Sequence, residues 1–342
     1  MRSKESRNSP NKESCVPGSL CFREFLAYQK NRKETDMKIA VIGAGAMGSI
    51  YGGHLSLHND VYLIDTNPKV VETINEKGLK LQENDTDNIY HPKAMTSSEE
   101  LGNVDLIILF VKALFSRAAL SGNKNLIGKD TYVLTLQNGS GHEDILSEFV
   151  PKDHIIIGTT EDNGAVLDFG YIRHGGVGNT NVGMLVEDKE GFLPKLKESF
   201  DSCGFKTHIQ PKIQQLIWDK LFTNVSLSAV TAILQCNMGY IAANEYAWNL
   251  TKALLHEAVE VAHALGLEAD EEKLAQKIHK TSEMSPNGVT SICADIRKGR
   301  KTEVDTISGS VVRAAKKAGV PVPVSEFAVN TIHALEGRPK DE

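Results

Sequence analysis

Between residues 43 and 48 the chain reads Gly-Ala-Gly-Ala-Met-Gly, and this turn constrains the fold more than any other segment. It follows a short apolar run, Lys38 to Ile42, and opens a stretch through Leu57 that reads as an amphipathic helix. Glycines at this spacing permit a tight strand-to-helix turn, a close approach of backbone to ligand, and close packing of helix on strand. The helix N-terminus offers unpaired N–H groups and the positive end of the helix dipole, which suits a pyrophosphate. Gly43, Ala44, Gly45, Ala46, Met47 and Gly48 are therefore the candidate dinucleotide contacts. The motif is weak alone, but a second apolar run, Asp60 to Ile64, closes a βαβ unit here, and Asp65 follows at about the 20-residue spacing of a ribose-binding carboxylate. An acid in that place accepts bonds from both ribose hydroxyls and repels a 2′-phosphate, which favours NAD over NADP. Lys69, one turn further on, keeps NADP open, and the plainer reading of Asp65 is a helix cap.

Beyond this unit, Asp105 to Val111 and Thr131 to Leu136 read as further buried strands, and Pro68 opens a helical pattern ending near Gly78. Apolar runs alternating with helical segments indicate a parallel sheet covered on both faces. Glycine-broken strands follow at Ile155 to Gly158, Gly170 to His174 and Asn181 to Leu185, read as an antiparallel continuation of that sheet, with a helix from Lys189 to about Asp201. After Pro211 the apolar spacing is helical throughout, from Ile213 through Leu234 and from Ala242 through Leu265. The expectation is an α/β chain: a Rossmann-type domain over 37–208, an all-helical domain over 209–337, and a disordered extension over 1–36. That extension is either an upstream-start artefact or a real tail.

A net charge of −6 without a clustered basic face argues against nucleic acid as a partner, and no apolar run is long enough for a membrane. Five scattered cysteines, with no CxxC spacing and no histidine cluster beside them, indicate a reducing cytoplasm and no metal; Cys293 is read as packing. A small molecule is the fitting ligand.

Lys112 and Asn138 end apolar strands at the edge where open parallel sheets bind ligands. A solvated lysine and an ordinary Asn-Gly turn are the alternatives. In the helical half, Lys220 and Asn224 stand four apart on one face of an otherwise apolar helix, beside Trp218, Leu221 and Phe222. A partly desolvated lysine suits protonation of an oxyanion, whereas a snorkelling lysine is the structural alternative. Ser291, Asp295 and Glu303 fall in one Lys/Arg-rich stretch, where any acid also serves as a surface ion-pair partner.

These pieces together resemble the ketopantoate reductase (2-dehydropantoate 2-reductase) family from Met37 to about Leu335. The matching motifs are GAGAMG, the strand ending in Lys112, Asn138-Gly139, the segment Arg173 to Gly178, the WDKLFTN helix and the block Ser291 to Glu303. The resemblance implies a 6-phosphogluconate dehydrogenase-like arrangement and reduction of a 2-oxo acid, ketopantoate to D-pantoate in pantothenate biosynthesis, by NAD(P)H. It implies that Lys220 protonates the ketone oxygen and that Glu303 positions or tunes it. Asn224, Ser228 and Ser291 then contact substrate, with Asp295 nearby, while Lys112 and Asn138 contact cofactor and carboxylate. It also implies a homodimer through the helical domain, for which the apolar helices after Tyr240 are available if they do not simply form core. Ser228 stands where the family often carries an asparagine, and Asp65-Thr66 where NADPH-dependent members place an arginine. Both departures keep a second reading open, an NAD-dependent D-2-hydroxyacid dehydrogenase acting on branched or aromatic 2-oxo acids. A dinucleotide-binding regulator without catalysis is the reading from another class.

Overall fold

The computed structural model describes residues 36–338; the expectation for the N-terminal extension lies outside them, apart from Asp36. Strands β1 (Lys38–Ile42), β2 (Asp60–Ile64), β5 (Lys93–Met95), β6 (Leu106–Leu109), β7 (Tyr132–Thr135), β8 (Ile155–Thr160), β11 (Asn179–Gly183) and β12 (Lys206–Ile209) form one sheet in the order β12-β11-β8-β7-β6-β1-β2-β5. Its pairs are parallel except β8 with β11, and Ile39 to Ile42 pair residue by residue with Leu106 to Leu109. The central strands are buried on both faces, which is why they read as unbroken apolar runs.

One strand expectation needs correction. The segment containing His174 does not continue the main sheet. It forms β10 (Tyr171–Gly176) in a second sheet, β4-β3-β10-β9, with β3 (Leu79–Glu83), β4 (Thr86–Tyr90) and β9 (Asn163–Asp168). The reason is spatial: helix α1 (Ala46–Leu55) lies between the two sheets and needs cover on both sides. Accordingly α1 is not amphipathic; Gly48 through Gly53 and Leu55 are all buried. Tyr51 is fixed there by stacking on Phe205 at 4.3 Å and by a 2.6 Å hydroxyl contact to Thr180.

Helix α2 (Pro68–Lys77) begins as the sequence suggests, with Pro at its start and Asn67 accepting from the Lys69 amide as N-cap. Helices α3 (Ser116–Gly122), α4 (His142–Leu146) and α5 (Phe192–Ser202) complete the sheet half. From residue 213 on, the described chain is helical: α6 (Ile213–Leu234), α7 (Met238–Ala243), α8 (Glu245–Ala264), α9 (Glu271–Met284), α10 (Ser291–Arg297), α11 (Ser308–Ala318) and α12 (Pro323–Glu336). Helix α6 belongs to both halves. Ile213 and Ile217 pack into the sheet's core with Ile107 and Leu109, whereas Trp218, Leu221, Phe222 and Val225 sit in the helical core. Burial of each such side chain contributes about 1.5–3 kcal/mol, so the helix is anchored on both sides of residue 220. Among the described residues no helix is long and apolar enough to cross a membrane.

Candidate active site

The glycine turn is held rigidly. Gly43 has φ +101°, and a Cβ on Gly48 would lie 1.8 Å from the Gly43 carbonyl oxygen, so neither position admits another residue without displacement. Gly45, by contrast, is exposed, and a Cβ there would meet nothing within 4 Å. It is the N-cap of α1 and supplies no side-chain cap, so no capping side chain takes up the first-turn amides. Asp65 directly follows β2 and buttresses the turn: one carboxylate oxygen accepts the Ala44 amide at 2.8 Å and the other accepts the Asn67 amide at 2.9 Å. The cap of α2 is Asn67, not Asp65. Lys69 sits with its ammonium 5.9 Å from the Phe169 ring centre.

At the carboxyl ends of β6 and β7 the two halves of the chain clasp one another. The Lys112 ammonium donates to Asp295 at 2.6 Å and to the Lys301 carbonyl at 3.2 Å. The amide of Ala113 donates to Glu303 at 3.2 Å. The Ser140 amide donates to the Thr306 carbonyl at 3.0 Å. Gly139 has φ +102°, and a Cβ there would come within 1.9 Å of the same Thr306 oxygen. Asn138, half-buried beside it, has its carbonyl in contact with His142 at 3.0 Å. Burial pushes the pKa of Glu303 up, opposed by the Ala113 amide and the Lys112 charge.

Helix α6 presents Lys220 to the cleft. Its ammonium crosses from the helical half to the sheet half and donates to the Thr160 carbonyl, at the end of β8, at 3.0 Å. The residue is exposed along the cleft, yet protein crowds the ammonium itself. That desolvation lowers its pKa from the ordinary lysine value, and the neighbouring Glu161 carboxylate works against it. Glu161 is itself oriented by the amide and side-chain nitrogen of Asn179, each at 2.9 Å. Asn224, one turn on, is half-buried, and Ser228, a further turn on, is buried. Ser291 is exposed on the first turn of α10, which the Thr290 hydroxyl docks onto α6 through Thr231 at 2.7 Å.

The structure thus brings Lys112, Asp295 and Glu303 together at the clasp and keeps Lys220, Asn224 and Ser228 on a separate helix face. Among the described residues Lys220 and Glu303 share no hydrogen bond or ion pair. The carboxylate whose charge reaches Lys220 is Glu161, which sequence reading did not single out. The hydrogen-bond partner of Lys220 is the Thr160 backbone carbonyl, which no motif reports. Cys293 is buried in the helical core, as packing requires.

Comparison with known proteins decides the family. The family model described as ketopantoate reductase PanE/ApbA matches residues 39–187, and its C-terminal counterpart matches 212–336. The chain belongs to the ketopantoate reductase family. The 2-dehydropantoate 2-reductase of Pyrococcus abyssi is 33% identical over 307 residues, 88% of this chain and 100% of the relative. That of Streptococcus pyogenes serotype M6 is 30% identical over 302 residues, 88% and 98% of the two chains. Among solved structures, D-mandelate dehydrogenase with NADH and anilino(oxo)acetate is similar at 33% identity and TM-score 0.80, covering 88% of this chain and 99% of that one. A PanE/ApbA-family ketopantoate reductase of Ralstonia eutropha has 26% identity and TM-score 0.80 over 88% and 99%.

Proposed function

We propose that this member of the ketopantoate reductase family is a cytoplasmic NAD(P)H-dependent reductase of 2-oxo acids, converting ketopantoate to D-pantoate. The observation that carries the reading is the reach of Lys220 across the cleft to the Thr160 carbonyl at 3.0 Å. The uncapped amides of α1 and the open space over Gly45 fit a dinucleotide pyrophosphate, and Asp65, pinned by two amides, sets a negative charge where the adenine ribose would lie. NADH is favoured on that ground. The cofactor supplies hydride to the keto carbon. The chain's own residues manage the other half of the reduction. As the carbonyl oxygen gains charge, the Lys220 ammonium stabilises it and then transfers its proton, giving the hydroxyl. A lowered lysine pKa makes that transfer easier. Asn224 and Ser291 hold the substrate, and Asn138 supports the cofactor side. Lys112 and Glu303 keep the clasp closed, and from there Glu303 tunes the cleft through the Lys112–Asp295 pair. A homodimer through the helical half accompanies this reading.

A second reading has a specific basis. Ser228 is shorter than the asparagine the family often carries there, which would leave room for a larger substrate, and D-mandelate dehydrogenase is among the similar structures. A bulkier 2-oxo acid would then be the substrate. The purified protein, given NADH and NADPH in turn with ketopantoate, branched 2-oxo acids and phenylglyoxylate, distinguishes these outcomes. Turnover of ketopantoate above the others supports the first reading; preference for an aromatic or branched acid supports the second. Dinucleotide binding without turnover of any of them would leave a binding protein and end the reductase proposal.

A further inference from the structure

His54 on α1, Glu83 at the end of β3 and His174 on β10 lie 29 and 91 residues apart in succession along the chain, yet their side chains converge. One Glu83 carboxylate oxygen, Oε1, sits 2.7 Å from His54 Nε2 and 2.9 Å from His174 Nδ1. The three potential ligand atoms all lie within 4.8 Å of one another. None of them belongs to the site described above. We propose that these residues form a divalent transition-metal site, suited to zinc, that fastens the second sheet to the helix of the dinucleotide turn.

Two histidine nitrogens and one carboxylate oxygen make a donor set suited to zinc, which binds nitrogen and oxygen at roughly 2.0–2.2 Å and in three-ligand sites keeps a fourth position open. The groups behind the ligands fit as well as the ligands themselves. His174 Nε2 lies 3.2 Å from Asp162 Oδ1, and His54 Nδ1 lies 3.3 Å from the Cys203 carbonyl. Each imidazole can therefore donate its remote N–H while turning a lone pair inward, the arrangement that orients metal-bound histidines and raises their basicity. Glu83 Oε2 accepts from Asn88 at 2.9 Å and from the Tyr90 hydroxyl at 3.0 Å, which leaves Oε1 for the ion. Charge balances too: with both imidazoles neutral, Glu83 and Asp162 together offset the ion's two positive charges. Glu83 and His174 also line a cleft with Asn84, Thr86 and Val177, which gives an ion a route toward the ligand atoms. The ligand atoms need part by only about half an ångström to admit zinc at its usual bond lengths. Sequence reading, which expected no metal, had no short spacing to find.

The test uses the full chain, stripped with EDTA, equilibrated with Zn²⁺ and counted by metal analysis; Co²⁺ in place of zinc gives an absorption spectrum that reports coordination. The expected result is about one zinc per chain and a four-coordinate Co²⁺ spectrum. His54→Gln retains a hydrogen-bond donor toward Glu83 and so keeps the network closed, but it removes an imidazole and should abolish stoichiometric binding. Glu83→Gln should do the same, and Asp162→Asn, one step behind His174, should weaken binding about ten- to a hundredfold. His256→Ala, at an exposed histidine of the helical half, should change nothing. Zinc that survives both His54→Gln and Glu83→Gln in folded protein would place the ion elsewhere and overturn the proposal. Failure of the parent chain to retain zinc at micromolar concentration would overturn it as well, and leave these residues a hydrogen-bonded imidazole–carboxylate network.

Discussion

The clasp at the ends of β6 and β7 and the cleft face of α6 both join the two halves of the chain, but they are built in opposite ways. At the clasp nearly every polar group is spoken for: Lys112 by Asp295, Ala113 by Glu303, Ser140 by Thr306. Gly139 fits only because it lacks a side chain. Along α6, Lys220 has one backbone carbonyl as partner, and neither Asn224 nor Ser228 makes a side-chain hydrogen bond among the described residues. Satisfied polar groups fix geometry, whereas unsatisfied ones at a cleft are free to meet a ligand. The first region should therefore answer to mutation in stability and the second in rate.

The largest expected effect breaks the second region alone. Lys220→Ala should lower kcat by about a hundredfold or more, the loss of a general acid, with NADH affinity and melting temperature nearly unchanged. Steady-state kinetics beside a cofactor titration measures both quantities, and an unaltered rate removes Lys220 from the mechanism. The converse variant is Gly139→Ala. It forces a side chain into left-handed backbone and against the Thr306 carbonyl, so it should cost about 1–3 kcal/mol of stability, read by chemical denaturation. If its denaturation midpoint matches the parent's, the two halves do not depend on this contact.

The sequence announced these two regions unequally. The parallel strands were legible because burial on both faces makes them uniformly apolar, and α6 because its apolar residues keep helical spacing from Ile213 to Val225. The second sheet was not: β4 is exposed along nearly its whole length and carries Thr-Asp-Asn, a run with no strand signature. Nor could α1 be read correctly, since an amphipathic helix was expected and only the second sheet explains its burial on all sides. At the site, chain pattern alone placed Lys112, Asn138 and Lys220 as candidates, and family resemblance added roles for Asp295 and Glu303. What neither supplied is the setting of Lys220. A carbonyl partner and a carboxylate brought in from the β8–β9 turn depend on tertiary packing, and no spacing along the chain encodes them.

The turn at Gly43 to Gly48 lies wholly within the sheet half, rigid like the clasp yet open like the cleft face, and Asp65 serves both characters. Asp65→Ala removes the charge that would repel a 2′-phosphate and frees the Ala44 amide. The ratio of kcat/KM with NADPH to that with NADH should rise about tenfold, the size of one lost charge-assisted hydrogen bond, with a modest loss of stability. A parent enzyme that already prefers NADPH would reverse the cofactor assignment.

The smallest effect sharpens the account of Lys220 itself. A general acid works only while protonated, so the rate should fall as pH rises through the Lys220 pKa. Burial has lowered that pKa, so the fall begins at lower pH than an ordinary lysine would give. Glu161 opposes the lowering, because a nearby negative charge stabilises the ammonium. Glu161→Gln keeps a side-chain acceptor toward Asn179 but removes the charge, so the pKa should drop further and the alkaline limb should move to lower pH. The rate at the acid plateau should change little, because Lys220 is protonated there in both proteins. A pH–rate profile of parent and variant measures the displacement. A limb that stays in place, or moves to higher pH, would show that Glu161 does not act on Lys220 through its charge.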